Sequence, residues 1–241
     1  MIEKEINAVP GKLKTFLNFL LLLFIALQGF GQTSVQTEVY GQYKEVTNPS
    51  LYNSIAYTRY LPEGIYEAKH PFFIDPHCKV GTLVYNGRMY QDVSIKYDLI
   101  LDEVIILYLD LASEVLMRKS QLTEFSIGNY NFINMPIGKN IQAGYYQVIH
   151  KGKTRVLCRH KKIYNSDVVQ GNSLFHMIEE KSPRYYIENN NEFYPVKNEK
   201  SLYKIFPEQK NEIKKFISSN ALLIKASPAS ALPLIAEFIN K

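Results

Sequence analysis

The sequence predicts a mainly β fold: an antiparallel meander, sandwich or partly closed barrel, followed by a short C-terminal helical segment. Three observations carry this. Lys79–Asp110 alternates apolar and polar residues through three consecutive strand-length runs. About ten such runs follow one another along the chain, with short turn-rich connections. After Asn198 the apolar spacing changes from two to the three-and-four pattern of helices. Abundant tyrosine (18) and phenylalanine (13) weight the strand reading further.

Asn86-Gly87 sits between two alternating runs, and a two-residue type I′ turn demands positive φ at both central positions, which this pair tolerates best. That turn places Val84 opposite Met89, Leu83 opposite Tyr90 and Tyr85 opposite Arg88. Val93, Ile95, Tyr97, Leu99 and Leu101 then share one face of the second strand, with Ser94, Lys96 and Asp98 on the other. A tight turn at Asp102-Glu103 returns the chain through a third strand, apolar on both faces and so expected to be covered on both.

Upstream, Ser34–Tyr43 alternates weakly and Ile55–Tyr60 is ambiguous; Ile65–His70 and Phe72–Ile74 read as short extended stretches. Downstream, Ser113–Met117 reads as a strand, Lys119–Glu124 as a turn or one helical turn, and Gly128-Asn129 as a hairpin between Phe125–Ile127 and Tyr130–Ile133. Lys151-Gly152-Lys153 joins Tyr145–His150 to Thr154–Tyr164. Polar Asn165–Asn172 reads as a loop, Leu174–Ile178 and Tyr185–Glu188 as separate strands, and Asn189–Asn191 as a turn into Phe193–Val196. Pro207 suits the start of a helix that stops at Asn220, and a second helix starts at Ser230 with Pro233 in its first turn.

The expected organisation is a signal peptide over 1–31, an antiparallel β domain over 32–197, and a helical segment over 198–241 packed on it. Lys12 and Lys14 precede an apolar run from Phe16 to Leu27, and Gly29 and Gly31 offer small residues before cleavage at Gln32. The run is shorter than the ~20 residues a membrane span requires. Export to the periplasm or surface of a Gram-negative cell is therefore expected, with no transmembrane span after signal cleavage.

An oxidising compartment permits a disulfide, so Cys78 and Cys158 are read either as a bridge or as buried free thiols. Net charge is +5 and uneven: residues 32–143 carry 9 basic and 12 acidic side chains, residues 144–241 carry 16 and 9. Export argues against nucleic acid. It leaves an anionic envelope component or an acidic protein surface as partner of the basic half, most simply through the strand face formed by Lys151, Lys153, Arg155, Arg159 and Lys161. A solvated basic face is the plainer account of the same residues.

The phrases GTLVYNGRMYQDVSIKYDLILDEVII, KTRVLCRHKK and YYIENNNEFYPVKNEKSLYKIFPEQKNEIKKFI, behind a signal peptide, resemble a family of secreted β-rich proteins of unassigned function from Bacteroidota. The resemblance implies an envelope location and assigns no functional residue.

The sequence has no G-x-S-x-G, H-E-x-x-H, C-x-x-C, P-loop or G-x-G-x-x-G pattern. No catalytic residue, metal site or cofactor is assigned. The leading expectation is an exported, non-enzymatic binding or interaction module. The alternatives are a hydrolase of unrecognised type built near His77 and Cys78, and a lipocalin-like carrier of an apolar ligand.

Overall fold

The computed structural model describes residues 51, 54–61, 69–108, 113–170 and 173–240. The expected signal peptide and the expected strand at Ser34–Tyr43 lie outside them, as does most of Ile65–His70. Residues 49–241 form one compact unit.

Eleven strands make one antiparallel sheet: β1 (Ile55–Ala56), β2 (Lys79–Tyr85), β3 (Arg88–Asp98), β4 (Glu103–Leu107), β5 (Glu114–Leu116), β6 (Leu122–Ile127), β7 (Tyr130–Met135), β8 (Gly144–His150), β9 (Val156–Gln170), β10 (Ser173–Asn189) and β11 (Glu192–Val196). The spatial order is β1-β5-β4-β3-β2-β6-β7-β8-β9-β10-β11, an open sheet with two edges. Three helices follow: α1 (Glu199–Ile205), α2 (Lys210–Ser219) and α3 (Pro228–Ile239).

The β2–β3 register is the one the Asn86-Gly87 turn requires, with Val84 opposite Met89, Leu83 opposite Tyr90 and Tyr85 opposite Arg88. Both turn residues have positive φ, 50° and 73°. The next turn is longer than expected. Asp98 pairs with Glu103, so four residues, Leu99–Asp102, make the connection, and Asp102 takes the left-handed backbone that closes it.

The sheet curls strongly. Its concave face buries Tyr97, Phe125, Phe132 and Tyr145 as one aromatic cluster, with Phe125 stacked on Phe132 at 4.7 Å and the rest meeting edge to face. Beyond this cluster the same face of β8–β11 carries Val156, Ile187 and Val196, on which the helices lay Leu202, Ile213, Ile217, Leu232 and Ile235. Asn198 caps α1, its side chain accepting from the Ser201 amide. Pro207-Glu208 precedes α2 instead of starting it, and α3 begins at Pro228, leaving Pro233 inside the helix.

The expected loop at Asn165–Asn172 is strand. β9 and β10 run 15 and 17 residues, Gln170 pairs with Ser173, and the two short strands expected after it are one strand bulged between Lys181 and Arg184. This long hairpin laps over the outside of the first strands. Ile178 of β10 packs with Ile105 of β4, Phe72 and Leu61, and the Lys162 amide donates to the Leu99 carbonyl at 3.3 Å. The outer face of β3 is covered as well, by residues before β2: Lys96 and Asp98 are buried against Tyr57, Tyr60 and Phe72. Lys96 is paired with Glu114 at 2.5 Å, and Asp98 accepts from the Tyr60 hydroxyl and the Ile100 and Leu101 amides.

Candidate functional site

The overlap of hairpin and sheet leaves a cleft of about 590 Å³, within the range of small-molecule sites. One wall is the segment before β2. Its backbone extends the β3 pairing, with Phe73 donating to the Tyr97 carbonyl at 2.8 Å and Leu99 to Pro71 at 3.0 Å. Phe73 turns inward, its ring 5.1 Å from Phe132, 5.2 Å from Tyr130 and 4.9 Å from His160. Phe72 turns outward, under the Lys96 ammonium at 4.3 Å.

Between Phe73 and the next anchor, Asp75, sits Ile74 with φ of 59° and its side chain 60% exposed. A β-branched residue is strained in that backbone region. Its neighbours hold it there: the Asp75 amide donates to the Phe73 carbonyl at 2.7 Å, and the Asp75 carboxylate binds Lys79 at 2.7 Å and the His77 amide at 2.8 Å. The Ile74 side chain lines the cleft.

The other wall is the concave face of β9 with its neighbours. Alternation places Cys158, His160 and Lys162 on one face. His160 Nε2 lies 2.7 Å from Gln147 Oε1 of β8; with the amide oxygen accepting, Nε2 carries the proton. Lys162 Nζ donates to the carbonyls of Phe72 at 2.8 Å and His70 at 3.0 Å, which leaves one ammonium N–H for a ligand. Glu180 of β10, opposite Lys162 in register, stands exposed at the rim. Nδ1 of His70 is buried without a hydrogen-bond partner.

Burial sets the charge states. It pushes the His160 imidazole below its usual range, with Glu180 pulling the other way. His70 is lowered by burial and then by the Lys162 charge, while Asp75, the nearby Phe72 backbone and Glu180 oppose. Lys162 is itself lowered by burial, against the attraction of Glu180 and Asp98. At neutral pH the cleft thus presents two uncharged imidazoles, beside a lysine whose charge is held by backbone carbonyls.

The basic face singled out from the sequence is divided. Arg155 is spent internally, bidentate to the buried Glu188 (Nε–Oε2 2.7 Å, Nη2–Oε1 3.2 Å) and 5.1 Å over the Phe193 ring. Arg159 donates to Gln142 Oε1, the Tyr146 hydroxyl and the Ala143 carbonyl, with Asp102 at 3.9 Å. Leu157 between them is fully buried with Ile141, Tyr146, Tyr186 and Phe193. Lys151, Lys153 and Lys161 are exposed. The two arginines are structural clamps on the loop and strands beside them.

Cys78 and Cys158 are both free thiols, so the Cys78–Cys158 bridge weighed from the sequence is not formed. Cys158 faces the interior, its thiol pushed up to about 12 by burial and offset only by the Tyr185 hydroxyl beside it. Burial also raises Cys78, with Lys96 and Glu114 exerting opposed smaller effects. His77, highly exposed, is engaged with Asp75 at 3.0 Å. Neither thiol has the depressed pKa of a nucleophile. Among the described residues no group of His, Cys, Asp and Glu is arranged to hold a metal, and no helix is long and apolar enough to cross a membrane.

His160, Lys162, Phe73 and Ile74 were not singled out as a site by the sequence. The usable signal was the parity of β9: a histidine and a lysine on the same face as an inward cysteine. No family model, curated protein or solved structure matches the chain.

Proposed function

We propose that the chain is an exported, non-enzymatic binding module of a Gram-negative cell envelope, which takes a small ligand in the cleft between residues 69–74 and the β9–β10 hairpin. Export rests on the basic, apolar and small-residue succession of residues 1–31, and the Bacteroidota placement on the sequence phrases quoted above.

The convergence of His70, His160 and Lys162 on one concave, mixed polar and apolar cleft carries the binding reading. The two alternatives have less support. The Cys78 thiol is raised, and its sequence neighbour His77 is exposed and bound to Asp75, which suits neither half of a nucleophile–base pair. The space enclosed by the curled sheet is filled by Tyr97, Phe125, Phe132 and Tyr145, where a carrier of apolar ligands would keep a cavity.

Two experiments test this. The imidazole resonances of the 15N-histidine-labelled protein are followed while a library of small organic metabolites is titrated in. Shifts at His70 and His160 with His77 unmoved are expected; a library that moves none of them would remove the cleft from consideration. N-terminal sequencing of the protein recovered from the periplasm should begin at Gln32, and a retained Met1 would defeat the export reading.

A further inference from the structure

The cleft has two kinds of lining. Its polar lining holds Lys162 with one unspent N–H, His70, whose Nδ1 is buried without a partner, and the exposed Lys69. Toward the mouth lie Ile74 and Tyr130, both among the exposed large hydrophobic side chains of the protein. Two lysines against the single carboxylate of Glu180 leave one net positive charge along the lining.

Ile74 sharpens the picture. A left-handed backbone strains a β-branched residue, and glycine would avoid that strain. In the free protein its exposed side chain gains little packing in return. Strain retained beside a cleft points to a role there, and an apolar ligand body covering Ile74 would supply the missing contact.

We propose that the cleft binds a small organic monocarboxylate with an apolar body, the carboxylate received by Lys162 and His70 and the body lying over Ile74 and Tyr130. This rests on the cleft being the ligand site. One negative charge matches the net charge of the lining, and the carboxylate gives both the spare ammonium N–H and the orphaned imidazole nitrogen a partner.

The histidines make binding pH-dependent. His70 faces Lys69 and Asp75 on its own segment, Lys162 from β9 and Glu180 from β10; His160 faces Lys162 and Glu180. A bound anion favours the protonated imidazoles, so proton uptake accompanies binding and affinity rises as pH falls.

The probes are 3-phenylpropionate and its uncharged amide, titrated to about 10 mM against the full mature chain by calorimetry and histidine-detected NMR. The carboxylate should shift His70 and His160, bind at least about tenfold more tightly than the amide, and tighten from pH ~7.5 to ~6 while the amide does not. Ile74→Gly should raise or preserve the melting temperature while weakening the carboxylate; a fall in both would show Ile74 to be structural and overturn its role. Glu180→Gln should tighten binding, and weaker binding would overturn the assignment in favour of a zwitterion. Equal affinity for the amide, or no response to the carboxylate, would refute the ligand class and leave the cleft standing if the metabolite library still moves His160. If that also fails, both readings fall.

Discussion

Lys162 Nζ donates to the Phe72 carbonyl at 2.8 Å across 90 residues of sequence. With its second bond to the His70 carbonyl, this lysine moors the segment before β2 to the hairpin. In Lys162→Met the apolar stem remains, but two carbonyls lose a charged donor, so a cost of about 2–3 kcal/mol is expected. Denaturant unfolding should show the lower midpoint, and a histidine titration should show His70 becoming easier to protonate without the neighbouring charge.

Acid should weaken the fold early. Both His70 and His160 have folded pKa values below their unfolded value. The unfolded chain therefore binds protons first as pH falls, and stability is lost from about pH 6.5 downward until the folded pKa is passed. Their contribution is complete above that window. His160→Gln should flatten part of the slope in unfolding curves taken between pH ~8 and ~5; an unchanged slope would mean that His160 is not held neutral.

The basic strand face should separate into two classes. Arg155→Met strands the Glu188 carboxylate, which is only 6% exposed, and should cost about 2 kcal/mol, discounted for the partial exposure of the arginine. Adding Glu188→Met should recover much of it. Lys153→Ala and Lys161→Ala should each stay within about 0.5 kcal/mol.

Thiol chemistry distinguishes free cysteines from a bridge. The folded protein should react slowly with an aromatic disulfide reagent at mildly alkaline pH, because burial raises both thiols. In denaturant, without any reductant, both cysteines should titrate at once. Titration only after reduction would show that a bridge forms instead.

At Gly81, β2 lies against the backbone of β6 with no room for a side chain. A methyl group there would lie 1.9 Å from the Ser126 carbonyl oxygen, a backbone atom that cannot swing aside. Gly81→Ala should cost about 3 kcal/mol or more, read as a large fall in melting temperature.

What could be read from the sequence follows the reach of the interactions. The Asn86-Gly87 and Gly128-Asn129 hairpins are local chemistry, so their registers were legible. The Asn165–Asn172 stretch was not, because its polar residues resemble a loop. Yet Gly171-Asn172, between Val168-Val169-Gln170 and Ser173-Leu174-Phe175, is itself a two-residue hairpin signal. Misreading it hid the long hairpin, and with it the overlap that covers Ile105 and forms the cleft. Arg155 and Arg159 looked like an open cationic row because strand parity shows which side chains are neighbours, not what covers them. Glu188 and Tyr146, which occupy them, lie 33 and 13 residues away.

The lapping hairpin also sets an order of assembly. As the chain elongates, β2–β4 and β6–β8 can each form from hairpins with short connections, and the more distant β2–β6 pairing then joins the two groups. The outer side of β4 at Ile105 must wait in water until Ile178 has been made. Such late, distant closure is slow. The last structure gained on refolding should thus be the clasp over residues 69–74, visible as a lag between amide protection in β2–β3 and in β9–β10. A pause in synthesis before residue 180 would leave a half-wrapped sheet with Ile105 uncovered, the species to which a holding chaperone would bind.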